Sequence, residues 1–163
     1  MAKNNSFDVV SRVDMQEMDN AVNQVKKEIG QRYDFRGSNA SIELGDKEIK
    51  LAAEDEYKLE AILDLLRQRM AKRGVPLRCI LPGKIEPAAK NTVRQQLTIQ
   101  QGISKENGKK IIAAIKATKL KVTAQMQEDQ VRVSGAKKDD LQAVIQMLKA
   151  GDFGVALQFV NMR

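Results

Sequence analysis

Apolar and polar positions alternate over residues 6–12 (SFDVVSR) as in a half-buried strand, and then the period changes. Met15, Met18, Val22, Val25 and Ile29 follow at helical spacing, and Asp14 with Glu17 three positions on makes a candidate capping box. Alternation returns over 39–44 and 47–53 on either side of a Gly-Asp-Lys turn, which predicts a hairpin. Asp55 is placed to cap a helix running to about Lys72, and a short strand near 76–81 closes this first unit.

The same order then recurs. EIKLAAEDEYKLEAILDLL (48–66) aligns without a gap over QVRVSGAKKDDLQAVIQML (130–148), sharing its apolar positions while the surface residues differ. Around that repeat the pattern predicts a strand at 93–101, a helix capped by Ser104 and running to about Thr118, and a hairpin of 121–127 and 130–135. A helix over 137–150, ended by Gly151, and a strand at 156–161 complete the copy. All three prolines (Pro76, Pro82 and Pro87) lie between the copies. The fold class is α+β: two ferredoxin-like βαββαβ sandwiches in tandem, each an antiparallel sheet with two helices on one face. The expected domains are residues 1–81 and 92–163, with 82–91 as linker. Each helix is expected to join neighbouring parallel strands by a right-handed crossover.

Strand alternation also names the sheet face left open. In the second copy Leu97, Ile99, Val122, Ala124, Met126, Val131 and Val133 are expected against the helices. Arg94, Gln96, Thr98, Gln100, Lys121, Thr123, Gln125, Gln127, Arg132 and Ser134 are expected to point away. That face has no aromatic ring, whereas RNA-binding modules of this architecture stack bases on sheet aromatics, each worth about 1–3 kcal/mol. Base-specific reading of single-stranded RNA by that route is therefore disfavoured. A polar face of this kind serves equally to pack, to meet solvent or to hold phosphates.

Composition narrows the chemistry. The chain has no histidine and one cysteine, so the commonest metal ligand and proton-transfer group are missing and no usual zinc set can be assembled. Cys79, between Arg78 and Ile80, reads as a small buried apolar residue, and a lone cysteine suits a reducing cytoplasm. No apolar run approaches the roughly 18–20 residues that span a bilayer, and the start (MAKNNSFDVV) lacks a signal-peptide layout. A cytoplasmic protein without membrane association, catalysis, metal or cofactor is expected. The charge is uneven: residues 1–81 hold 14 basic and 14 acidic side chains, and residues 82–163 hold 14 and 7. The basic half would attract phosphates, nucleic acid or acidic surfaces, or simply aid solubility.

Two stretches invite a ligand. QQGISKENGKK follows a strand and opens a helix, but five residues separate Gly102 from Gly108 where a phosphate loop has four, and Lys109 is followed by Lys110, not a hydroxyl. The motif is rejected. What remains is a helix start at Ser104 with Lys105, Lys109 and Lys116 near one side, either an anion site or a solvated basic face. The other stretch is YDFRG (33–37), which concentrates two of the six aromatic residues. Tyr33 and Phe35 could plug a core while Asp34 pairs with Arg36. Alternatively, Arg36 could hold a phosphate or a guanine edge while a ring stacks on the base.

SFDVVSRVDMQEMDNAVNQ, RYDFRG, QQGISKENGKKI, VRVSGAKKDDLQAVI and the closing LQFVNMR together resemble the YajQ family of bacterial proteins, from residue 5 to the end. The resemblance implies tandem ferredoxin-like, RNA-module-like domains whose first strands are exchanged, 6–12 completing the second sheet and 93–101 the first. It implies a non-enzymatic nucleotide-binding protein, some members of the family being receptors for cyclic di-GMP. GTP or ATP is the other nucleotide expected. RNA or DNA held through phosphates by the basic half is the alternative partner, and a protein-interaction scaffold a further one. The family motifs carry no agreed ligand residues. The candidates are therefore Tyr33, Phe35, Arg36, Ser104, Lys105 and Lys109.

Overall fold

Nine strands and four α-helices are seen in a computed structural model that describes residues 4–32, 35 and 39–163. In chain order they are β1 (Asn5–Val10), α1 (Met15–Gln31), β2 (Ser41–Leu44), β3 (Glu48–Ala53), α2 (Glu56–Lys72), β4 (Ile80–Pro82), β5 (Glu86–Pro87), β6 (Val93–Ile99), α3 (Lys105–Ala117), β7 (Val122–Gln127), β8 (Gln130–Gly135), α4 (Lys138–Ala150) and β9 (Gln158–Val160). Two antiparallel sheets and four helices make the α+β, two-sandwich architecture that the repeat predicts.

Three helices begin where an oxygen side chain can satisfy a free backbone N–H. Asp14 accepts from Gln16 N and Glu17 N, Asp55 from Lys58 N, and Ser104 Oγ from Asn107 N at 3.1 Å. Glu17 does not close a capping box, because its carboxylate accepts from Asn20 Nδ2 and faces Arg73 at 3.7 Å. The fourth helix starts at Lys137 without a side-chain cap.

The chain divides into two compact units that do not follow chain order: residues 1–12 with 101–163, and residues 13–100. Residues 82–91 lie inside the second of these. In the first unit the sheet order is β7-β8-β1-β9, with Phe7 opposite Val133 and Val9 opposite Phe159. Its core gathers Phe7, Val9, Ile111, Ile115, Val131, Val133, Leu141 and Val144. In the second unit the order is β2-β3-β6-β4, and β5 adds a short pairing to β6. Met18, Val22, Ile42, Ile49, Leu51, Leu59, Ile62, Leu66 and Leu97 form its core.

Two expectations need correction. Leu97 and Ile99 do not face the helices of the second copy. They are buried in the 13–100 unit, since β6 pairs with β3 and β4. Nor do the helices join neighbouring parallel strands. α2 connects β3 to β4 with β6 hydrogen-bonded between them, and α1 leaves β1 in one sheet to enter β2 in the other. A parallel pair with a third strand inserted satisfies the backbone as fully as an adjacent pair, and the hydrophobic pattern does not distinguish them.

Candidate functional site

Burial alternates along the two central strands of the 13–100 sheet. Ile49 and Leu51 on β3, and Leu97 and Ile99 on β6, are buried against the helices. The intervening Lys50, Arg94, Gln96 and Thr98 are exposed on the opposite face. These are the strands on which RNA-binding sandwiches carry stacking aromatics, and here that face carries two cations, an amide, a hydroxyl and the half-buried Glu48 opposite Thr98.

Register arranges these groups. Lys50 lies directly opposite Gln96, Ala52 opposite Arg94, and Arg94 opposite Glu86 of β5. Arg94 and Lys50 are therefore diagonal neighbours on one face, with Cα atoms about 7–8 Å apart and side chains long enough to converge. The segment between β4 and β5 forms a wall beside them. Gly83 N donates to Gln96 O at 2.9 Å, Gln95 Nε2 donates to Gly83 O at 2.8 Å, and Ile85 packs on the unit's core. A side chain at Gly83 would put its Cβ 3.0 Å from Gln96 O, so glycine permits this close approach. The groove between them measures about 550 Å³ and is lined by Lys50, Lys84, Glu86, Arg94, Gln96 and Thr98, among others. That volume is in the range of small-molecule sites, roughly 300–1,000 Å³. Three cations face one carboxylate, and Glu86 Oε2 lies 3.2 Å from Arg94 Nη2. Among the described residues Lys50 and Lys84 make no ion pair.

The internal repeat supplies a comparison. Lys50 aligns with Arg132 of the other unit. Opposite Arg132 on the neighbouring strand stands Asp8, where Lys50 faces Gln96. Arg132 Nε donates to Asp8 Oδ1 at 2.9 Å, and Asn161 Nδ2 to Asp8 Oδ2 at 2.8 Å. Asp8 is only 1% exposed. The Arg132 hydrogen bond holds its carboxyl below the usual carboxylate range, against the opposing push of burial and with help from Asn161. The central cation of one sheet is thus internally neutralised, while its counterpart on the other stands between Gln96 of β6 and Glu43 of β2, whose carboxylate pairs with Lys26.

Of the residues proposed from sequence, the described ones fall in different units, Phe35 in residues 13–100 and Ser104, Lys105 and Lys109 in the other. Phe35 is 3% exposed in the core of the 13–100 unit, with Arg32 over its ring at 5.1 Å, so this ring is core. Tyr33 and Arg36 lie outside the described residues, as do Asp34 and Gly37. Ser104 is occupied as a helix cap, and Lys105, Lys109 and Lys116 are exposed on α3. Gly108 is inside α3 and buried, where a Cβ would meet Met126 Sδ at 2.5 Å, which agrees with rejecting the phosphate loop. Cys79 is buried, and burial pushes its thiol up to about 11. The sequence alternation correctly turned Arg94, Gln96 and Thr98 outward, but it could not supply their neighbours Lys50, Lys84 and Glu86, because that needs the pairing of β6 with β3 and β5.

Among the described residues no cluster of acidic, Cys or His side chains is arranged to hold a metal, and no helix is long and apolar enough to cross a membrane. Comparison with known proteins places residues 5–163 in the family described as nucleotide-binding protein YajQ-like. A protein of Syntrophotalea carbinolica is 58% identical over 158 residues, covering 97% of this chain and 98% of its own. One from Trichlorobacter lovleyi is 55% identical with the same coverage. One from Carboxydothermus hydrogenoformans is 53% identical over the full length of both chains. Each of the three is named a nucleotide-binding protein.

Proposed function

The chain belongs to the YajQ-like family, and from that premise we propose that it is a non-catalytic nucleotide-binding protein, a receptor or adaptor, that holds its ligand's phosphates on the outer sheet face of the 13–100 unit. The observation carrying this reading is the contrast between the two sheets: Asp8 neutralises Arg132, while Lys50 stands with Lys84 and Arg94 around a groove holding a single acid. Lysine offers a point charge and arginine a planar fork, both suited to phosphate oxygens. Gln96 and Thr98 add neutral hydrogen-bonding groups for a sugar or base edge.

Calorimetric titration against guanine and adenine nucleotides, cyclic di-GMP and a short RNA tests the reading. Lys50→Ala and Arg94→Ala are each expected to weaken nucleotide binding about tenfold or more, since a hydrogen bond to a charged group is worth roughly 1.5–3 kcal/mol. Unchanged affinity in both folded variants refutes the groove. A second reading rests on Lys105, Lys109 and Lys116, all exposed on α3: a long RNA or DNA held by phosphates there. Its affinity would fall with salt by about 0.7–0.9 in log–log slope per phosphate contact. The triple alanine variant would flatten that slope while leaving mononucleotide binding unchanged.

A further inference from the structure

β4 turns one large apolar side chain outward. Ile80 is buried opposite Ile99, so Leu81 points to the other face, opposite Thr98, and is 46% exposed there. Directly opposed side chains on one face stand about 4.5–5.5 Å apart at Cβ. Leu81 therefore borders the groove where Thr98 lines it, and it is not a member of the unit's core. The groove changes character along β6. Lys50 lies opposite Gln96, and Lys84 falls between Gly83, bonded to Gln96, and Glu86, opposite Arg94. Three cations against Glu86 thus leave the Arg94–Gln96 half positive. The Thr98 end instead has a hydroxyl between Leu81 on one side and the half-buried Glu48 on the other.

Resting on the groove as the nucleotide site, we infer that Leu81 is the seat of the base. A nucleoside phosphate lies along β6 with its phosphate at Arg94 and Lys50 and its base against Leu81. Thr98 is four positions after Arg94, a span of about 13–14 Å along a strand. That is close to the length of one extended nucleoside phosphate once the Arg94 side chain is allowed for. A base has an apolar face that leaves water on contact with a leucine, whereas a phosphate gains nothing there. The reverse orientation would set a phosphate beside Glu48, where like charges repel, and spend the cations on a neutral base. Leucine carries no hydrogen-bonding group, so this contact favours a base over no base without choosing between guanine and adenine.

The test uses the full chain and calorimetry at one ionic strength, with GMP, AMP and ribose 5-phosphate as probes. Ribose 5-phosphate has the sugar and phosphate of the other two and no base. Leu81→Ala is expected to weaken GMP and AMP about fivefold, from apolar area left in water, and to leave ribose 5-phosphate unchanged. Leu81→Trp supplies a stacking ring and is expected to tighten GMP and AMP about fivefold or more, again without effect on ribose 5-phosphate. The position is exposed, so both variants should keep the wild-type melting temperature. Lys50→Ala with Lys84→Ala is the control for the groove and should weaken all three probes. If it does so while Leu81→Ala leaves GMP unchanged, or weakens ribose 5-phosphate as much as GMP, the groove stands and the role of Leu81 is overturned. A Leu81→Trp protein that fails to tighten GMP overturns it as well. If the double variant binds GMP normally, the groove reading has failed, and the inference about Leu81 with it.

Discussion

Replacing Phe7 by alanine probes whether the N-terminal strand belongs to the unit built mainly from residues 101–163. Phe7 is fully buried, opposite Val133, in a core whose other members come from residue 9 and residues 103–148. Its ring meets Phe159 edge-on at 6.0 Å between centroids. Phe→Ala in a core costs about 3–5 kcal/mol, of which the ring pair accounts for about 0.5–1.5. A loss of 3 kcal/mol raises the open population about 150-fold. Native-state hydrogen exchange with mass-spectrometric peptides reads this segment by segment. Peptides from α3, α4, β7 and β8 should exchange about two orders of magnitude faster, while those from α1, α2, β2 and β3 change far less. Leu97→Ala, also at a fully buried position but in the other core, should reverse the pattern at a cost of about 2–5 kcal/mol. If Phe7→Ala loosens residues 15–72 and spares 101–163, the pairing of β1 with β8 and β9 is refuted.

Three further outcomes are expected. Asp8 has its carboxyl lowered in the folded protein, so its contribution is present above the ordinary aspartate range of about 3.9 and is lost as pH falls below that through the folded value. Wild-type melting temperature should therefore drop between pH 5 and about pH 2.5 by more than that of Asp8→Asn, and parallel curves would show that the Arg132 contact contributes nothing. Ser104→Ala should cost about 1 kcal/mol by removing the α3 cap, seen as a shift in denaturation midpoint with nucleotide affinity unchanged. Cys79, buried with its thiol pushed up to about 11, should react with a thiol reagent at pH 8 only as fast as the protein opens; rapid modification of folded protein would contradict its burial.

Local chemistry made the elements legible. Asp14, Asp55 and Ser104 cap helices because their own oxygens reach N–H groups two or three residues on, an interaction written within a few positions of sequence. The inward or outward direction of Leu97, Thr98 and Ile99 followed from the two-residue period of a strand, whichever sheet the strand joins. Which sheet it joins was a different matter. Residues 6–12 and 93–99 both alternate and both feed a capped helix, and sheet pairing is made by backbone groups that carry no residue identity. Only the packed structure decides that Phe7 belongs with Val133 and Leu97 with Ile49. The candidate site depends on that decision. Arg94 was visible as an outward cation, but its companions Lys50, Lys84 and Glu86 are gathered from separate strands by the pairing of β6 with β3 and β5. The neutralising contact in the other sheet joins Asp8 to Arg132 across 124 positions. A charge count along the chain assigned the positive excess to the second half, but it could not say which cations end up beside a carboxylate and which are left facing an open groove. Coulomb energy depends on distance in space, and the fold alone sets that distance.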